Sequence, residues 1–334
     1  LKGKDFITTQ DWTVEELEEA LELAAELKAK RAAGEPTPLL PAKTLYMIFF
    51  DASTRTRNSF ETGMTQLGGH GIYLSPDKMQ ISHGENARDT ANVLSRYGDG
   101  IAIRHCAFRE GNDYVREVAE HASIPVISMQ CDVYHPCQIL ADMLTIREHL
   151  GRDTKGLKLG VAWTSAPNYV RPLSVPQSLI LMMPRFGIDV TLACPPEFRL
   201  MPEIEEQARA NAEAGGAKFE ISENFEDAFT GANVVVPKSW GPLMTTRDTA
   251  EGLALIEKYG TATKALPLEF HGDLYWFYDG AYSMNPETFA WMMEWFRDND
   301  VWSVNGTELL GFLDGTLDLP ARSVILTTDS GASS

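Results

Sequence analysis

Short apolar runs alternate with amphipathic stretches along most of the chain, and this alternation constrains the fold more than any other feature. A short apolar run bounded by turn residues suits a strand buried on both faces, and apolar residues recurring every third or fourth position suit a helix lying over it. Residues 44–50, 71–74, 101–104 and 125–129 read as strands, with helices expected near 57–67, 86–97 and 113–122. A first helix runs to about Arg31, opened by the Thr13-Val14-Glu15-Glu16 capping box, with Leu17, Leu21 and Ala24 on one face. A long helix at 136–150, with Pro136 in its first turn and Gly151 past its end, leads to a second unit of the same kind. There, strands are expected at 158–163, 189–194, 218–221 and 233–237, and helices at 175–186, 203–214 and 226–229. Strands that alternate with helices form parallel sheets covered on both faces. The expected fold class is therefore α/β: two doubly wound parallel-sheet domains, residues 1–150 and 151–260, followed by an atypical segment at 261–334.

The totals restrict function rather than fold. A net charge of −18 argues against nucleic acid or an anionic membrane as partner, but not against a small anion, because local arginines set the field inside a cleft. No apolar run reaches the length of a membrane span. Cys106, Cys131, Cys137 and Cys194 form no CxxC pair and read as reduced thiols of a cytoplasmic protein. No His, Cys, Asp and Glu set has ligand spacing, so neither a metal nor another cofactor is expected. The chain opens Leu1-Lys2-Gly3-Lys4-Asp5, without Met or a signal peptide, and its very start is expected to be missing.

Ser53-Thr54-Arg55-Thr56-Arg57 follows the 44–50 strand and opens a helix. At such a turn free backbone N–H groups and the helix dipole converge on one place. Three hydroxyls and two guanidiniums add donors, and Arg suits bidentate contact with phosphate. Ser-Thr alone would be an ordinary cap, whereas the whole pentapeptide points to an oxyanion site. Next come His135-Pro136-Cys137-Gln138-Ile139-Leu140-Ala141-Asp142 and the strand Ile101-Ala102-Ile103-Arg104. His135 and Gln138, three apart at a helix start, can face one ligand. Singly, a His before Pro reads as a cap, and an Arg at a strand end as a solvated charge.

Taken together, in this order, these segments resemble the aspartate/ornithine carbamoyltransferase family, over residues 1 to about 260. Gln66-Leu67-Gly68-Gly69-His70 and His83-Gly84-Glu85 belong to the same likeness. The resemblance implies that 1–150 binds carbamoyl phosphate and 151–260 the second substrate. It implies that Ser53, Thr54, Arg55 and Thr56 bind the phosphate, that Thr56, Arg104 and His135 polarise the carbamoyl oxygen, and that Gln138 bonds the carbamoyl amide. It also implies a homotrimer, with Gln80 and His83 reaching a neighbour's site. Trp163-Thr164-Ser165-Ala166-Pro167 and Arg171-Pro172-Leu173-Ser174-Val175-Pro176-Gln177-Ser178 look like the loop of the knotted transcarbamylases, in a branch of uncertain substrate. Pro237-Lys238-Ser239-Trp240-Gly241-Pro242 fits that branch. Where ornithine enzymes have Asp-x-x-x-Ser-Met-Gly, this chain has Lys238, Pro242 and Leu243, which speaks against L-ornithine. Lys238 and Trp240 are the candidates for the second substrate, a small anionic amine or amide.

After Gly260 the resemblance changes. The family's His-Cys-Leu-Pro segment is absent, and Leu319 to Gly331 is similar to the opening of polysaccharide deacetylases, with Asp329 kept and Ser330 in place of a metal-binding Asp. Three readings stay open: carbamoyl transfer to a small amine or amide, a relic that binds carbamoyl phosphate without turnover, and a fused deacetylase fragment. The exchanged tail implies slow transfer or none.

Overall fold

The computed structural model describes residues 2–164 and 172–263, with side chains through 259, and the backbone of 275–276, 302–304 and 323–325. Helix α1 (Val14–Ala32) carries the expected box: the Thr13 hydroxyl accepts from Glu16 N–H, and the Glu16 carboxylate accepts from Thr13 N–H. Leu17 and Leu21 are buried, but Ala24 is exposed. Residues 22–26 of α1 are all exposed, with Leu23 at 48%.

Four strands, β1 (Thr44–Phe49), β2 (His70–Leu74), β3 (Gly100–His105) and β4 (Val126–Cys131), form a parallel sheet in the order β2-β1-β3-β4. The period of two along each strand divides the side chains between faces. Leu45, Met47, Phe49 and Ala102 pack with Met64 of α2 (Thr54–Gln66). Ile48, Ile101 and Ile103 pack with Ala87 and Ala91 of α3 (Ala87–Leu94) and with Val115 and Val118 of α4 (Gly111–His121). Helices thus cover both faces, and the apolar surface of the strands leaves water on each side. Helix α2 begins three residues before the expected Arg57, because Ser53 supplies its cap.

Helix α5 (Pro136–Leu150) has the expected bounds, with Gly151 at φ 95° beyond its end. The second parallel sheet has the order β7-β6-β5-β8-β9. Its strands are β5 (Lys158–Trp163), β6 (Asp189–Ala193), β7 (Phe219–Ser222), β8 (Val234–Lys238) and β9 (Tyr275–Trp276). Between them run α6 (Ser174–Met182), α7 (Pro202–Gly215), α8 (Glu226–Phe229) and α9 (Thr249–Thr263). The helix expected to reach Phe186 stops at Met182 and tightens into a 3₁₀ turn, Met183–Phe186. Pro184 explains this, since it has no N–H and its ring clashes with the carbonyl four residues back. Helix α9 was not expected, although Asp248 caps it by accepting from Glu251 N–H at 2.9 Å. One apolar cluster joins α1, α5 and the second sheet: Leu17, Leu21, Ile139, Met143, Leu159 and Leu179 belong to it.

Residues 165–171, part of the loop expected to form a knot, and most of 261–334, including the deacetylase-like segment, lie outside the described residues. Among the described residues no helix is long and apolar enough to cross a membrane.

Candidate active site

The C-terminal ends of β1, β3 and β4 lie side by side, and the expected residues follow directly from them. Ser53 is the N-cap of α2 and is extended, at φ −153° and ψ 115°. Its hydroxyl donates to Thr56 Oγ1 at 2.9 Å, and its oxygen accepts from Thr56 N–H at 3.3 Å. Arg104 stands opposite Phe49 on β1 and Gln130 on β4, and its Nη1 donates to Thr56 Oγ1 at 3.4 Å. Its Nε is buried without a hydrogen-bond partner. Ser53, Thr56 and Arg104 thus form one chain of contacts at a helix N-terminus, where the dipole favours an anion. Thr54 and Arg55 are exposed in the first turn of the helix. Arg57 points elsewhere: its guanidinium lies 4.0 Å from the Tyr73 ring centroid, and its Nε is 3.1 Å from Glu61. A cavity of about 420 Å³ opens on the Arg57 side of this turn, lined by Ala52, Ser53, Thr54, Arg57, Asn58, Glu61 and Tyr73 but not by Thr56 or Arg104.

His135 is the N-cap of α5, and its backbone N–H donates to Ser178 Oγ at 2.9 Å. Gln138 is half-buried, one turn into the helix, with its amide donating to Asp142 at 2.8 Å. Gln80 and His83 are exposed in a 3₁₀ turn between β2 and α3. Lys238 ends β8, opposite Trp163 on β5. Trp240 is only 1% exposed; its indole N–H donates to Phe198 O at 2.7 Å, and its carbonyl accepts from Trp163 Nε1 at 2.9 Å. Its side chain therefore braces the end of β8 from within the core.

The surroundings decide which chemistry is available. Burial pushes the thiol of Cys106 up, and that of Cys137 up to about 12. Both stay protonated near neutral pH, so the site offers no thiolate nucleophile beside Arg104 or His135. His105, stacked on Phe50 with centroids 4.0 Å apart, is held below its ordinary pKa by burial. What remains is a set of hydroxyls, guanidiniums and amides, which suits anion binding and the stabilisation of a developing oxyanion.

Two carboxylates that the motif reading passed over hold this set in place. Asp51 accepts from Cys106 N–H at 2.7 Å, tying the loop after β1 to the end of β3. Asp132 accepts from Arg109 N–H at 2.7 Å and Asn112 N–H at 2.8 Å, tying the end of β4 to the start of α4. Asp132 thereby helps to hold Arg109 at φ 61°, a backbone state uncommon for any residue but glycine. An acidic residue directly after a strand was the available signal, but its partners are backbone amides distant in sequence.

Comparison with known proteins adds relatives of both units. The family model described as aspartate/ornithine carbamoyltransferase, carbamoyl-P binding domain, matches residues 4–148, and the Asp/Orn binding domain matches 172–266. The Escherichia coli (strain K12) protein YgeW, named as a candidate carbamoyltransferase, is 38% identical, with 81% of this chain and 74% of that one covered. An ornithine carbamoyltransferase of Carboxydothermus hydrogenoformans is 42% identical over 77% of this chain and 79% of its own. Among solved structures, an acetylornithine transcarbamylase complexed with acetylcitrulline is similar, with TM-score 0.71 and 33% identity, covering 77% of this chain and 81% of that one.

Proposed function

Because the chain belongs to the aspartate/ornithine carbamoyltransferase family, we propose that it transfers the carbamoyl group of carbamoyl phosphate to the amine or amide of a small anionic substrate. The observation that carries this reading is the contact chain Ser53–Thr56–Arg104 at the N-terminus of α2. Ser53, Thr54, Arg55 and Thr56 hold the phosphate. Thr56, Arg104 and His135 donate to the carbamoyl oxygen, and Gln138 bonds the carbamoyl amide. A neutral amine attacks the carbonyl carbon, the oxygen takes up negative charge, and the C–O bond to phosphate then breaks. Donors placed where that charge develops contribute about 3 kcal/mol each. The departing phosphate accepts the amine proton, so the step balances without a further base.

Lys238, at the carboxyl end of β8, is assigned to an anionic group of the acceptor, on the wall that Trp240 braces. The likeness to an acetylornithine transcarbamylase complexed with acetylcitrulline supports an acceptor of amino-acid size. The active assembly is a homotrimer in the cytoplasm, in which Gln80 and His83 of one copy reach the site of the next. Residues 1–150 act as the carbamoyl-phosphate domain and 151–260 as the acceptor domain. Calorimetry with carbamoyl phosphate, followed by phosphate release across a panel of amines and amides, tests the reading. Absence of binding removes it, whereas binding without release from any acceptor leaves only a carbamoyl-phosphate-binding protein.

A further inference from the structure

Helix α6 is buried over all nine residues, yet it carries Ser174, Gln177 and Ser178 on neighbouring positions of its first two turns. A helix enclosed on all sides is expected to be apolar, and buried polar side chains persist when they are hydrogen-bonded. All three are satisfied, and each reaches β4 or the turn between β4 and α5. Ser174 Oγ accepts from Gln130 Nε2 at 2.8 Å, with both residues buried. Gln177 Nε2 donates to Val133 O at 2.9 Å, while its Oε1 accepts from Met201 N–H at 3.2 Å. Ser178 Oγ accepts from His135 N–H at 2.9 Å. Gln130 is the cross-strand partner of Arg104, and His135 carries the imidazole assigned to the carbamoyl oxygen. One face of a helix in the second unit therefore holds the backbone that presents His135 and the side chain of the residue paired with Arg104.

We propose that Ser178, supported by Ser174 and Gln177, is a positioning residue that sets the His135 imidazole through its backbone. It would couple the placement of the acceptor domain to the polarisation of the carbamoyl group. The assignment of His135 rests on the function proposed above; the grip on its backbone does not. Ser178→Ala removes the acceptor and leaves the half-buried His135 N–H without it, whereas Ser178→Thr keeps the hydroxyl. The test reads two signals in full-length protein: the His135 ring resonance in a histidine-labelled spectrum, assigned through His135→Asn, and the split of phosphate-release kinetics into kcat and KM for carbamoyl phosphate. Ser178→Ala is expected to move the His135 resonance and lower kcat by about tenfold, while KM changes less than about twofold. Ser178→Thr is expected to restore both signals. An unmoved His135 resonance in a folded Ser178→Ala protein overturns the proposal, as does a kcat loss that only follows the folded fraction. If the wild type releases no phosphate with any acceptor, the functional reading fails, and the grip is still judged on the resonance alone.

Discussion

Arg55 and Arg57 sit two positions apart in one motif, and their surroundings divide their work. Arg55 is exposed in the first turn of α2, whereas Arg57 lies over Tyr73 and pairs with Glu61. Arg55→Ala is expected to weaken carbamoyl phosphate binding by about 1.5–3 kcal/mol, the range for a hydrogen bond to a charged group. Arg57→Ala should weaken it less; calorimetry on both variants decides, and equal losses would place Arg57 in the phosphate site. His105 gives a pH dependence. Burial lowers its pKa below the ordinary 6.5, against the opposing pull of Asp51, Glu110 and Asp132. The unfolded chain therefore binds the proton near pH 6.5, where the folded chain does not. Stability is unaffected by this group above that pH and falls as pH drops through 6.5 toward the folded value. Urea midpoints measured from pH 7.5 to 5.5 should fall less for His105→Gln than for the wild type; parallel curves would mean that His105 titrates alike in both states.

Between elements, close approach matters more than propensity. Gly160 in the centre of β5 would place a Cβ 1.9 Å from the carbonyl oxygen of Ala228 in α8. Backbone cannot yield as a flexible side chain does, so Gly160→Ala must push α8 off the sheet, at a cost of about 1–3 kcal/mol. The expected result is a lowered thermal midpoint with carbamoyl phosphate affinity unchanged, because the residues proposed to hold the phosphate follow the first sheet. A midpoint within a degree of wild type, read by circular dichroism, would show that α8 retreats freely. Element types were legible because each has a local cause: the Thr13–Glu16 box, Pro136 at a first turn, Gly151 past an end. Where the structure departs from the expectation, a single local residue outweighed the apolar pattern. Pro184 ended α6 early, and Asp248 capped a helix that the apolar pattern did not announce.

At the scale of the whole molecule, the two units match a carbamoyl-P binding domain and an Asp/Orn binding domain. Lys238 places a positive charge at the carboxyl end of the second sheet, so L-ornithine, with a second ammonium, is expected to be a poor acceptor. Citrulline formation from ornithine at a rate matching the best acceptor of a panel would refute this. The chain is also expected to bind carbamoyl phosphate better than it turns it over, because the match to the family's Asp/Orn binding domain stops at residue 266 while Ser53 to Gln138 keep the family's motifs. Contacts that position a substrate contribute to rate even far from the reacting bond. Exchanging everything after residue 266 for a complete transferase ending should raise turnover and leave the affinity for carbamoyl phosphate as it was. Equal turnover in both proteins would make the native tail a working substitute.

By itself the sequence determined the class of fold, the strands β1 to β8 and the helix-start motifs, though not β9, since these depend on periodicity, caps and turn residues within a few positions of one another. The family resemblance it carries also implied Ser53, Thr56, Arg104 and His135 as donors, and the structure has them at a strand end or at helix starts. Only the tertiary structure decided what holds them. Gln130 meets Ser174, His135 meets Ser178 and Asp51 meets Cys106 across 44, 43 and 55 positions of chain. Hydrogen bonds of that span leave no periodic trace, because a Ser on a buried helix reads the same whether it supports a donor or merely fills space. The folded structure also moved Trp240 from a candidate contact into the core, where its indole N–H is taken by Phe198 O. Burial and satisfied polar groups are properties of the packed whole, and a linear pattern does not contain them.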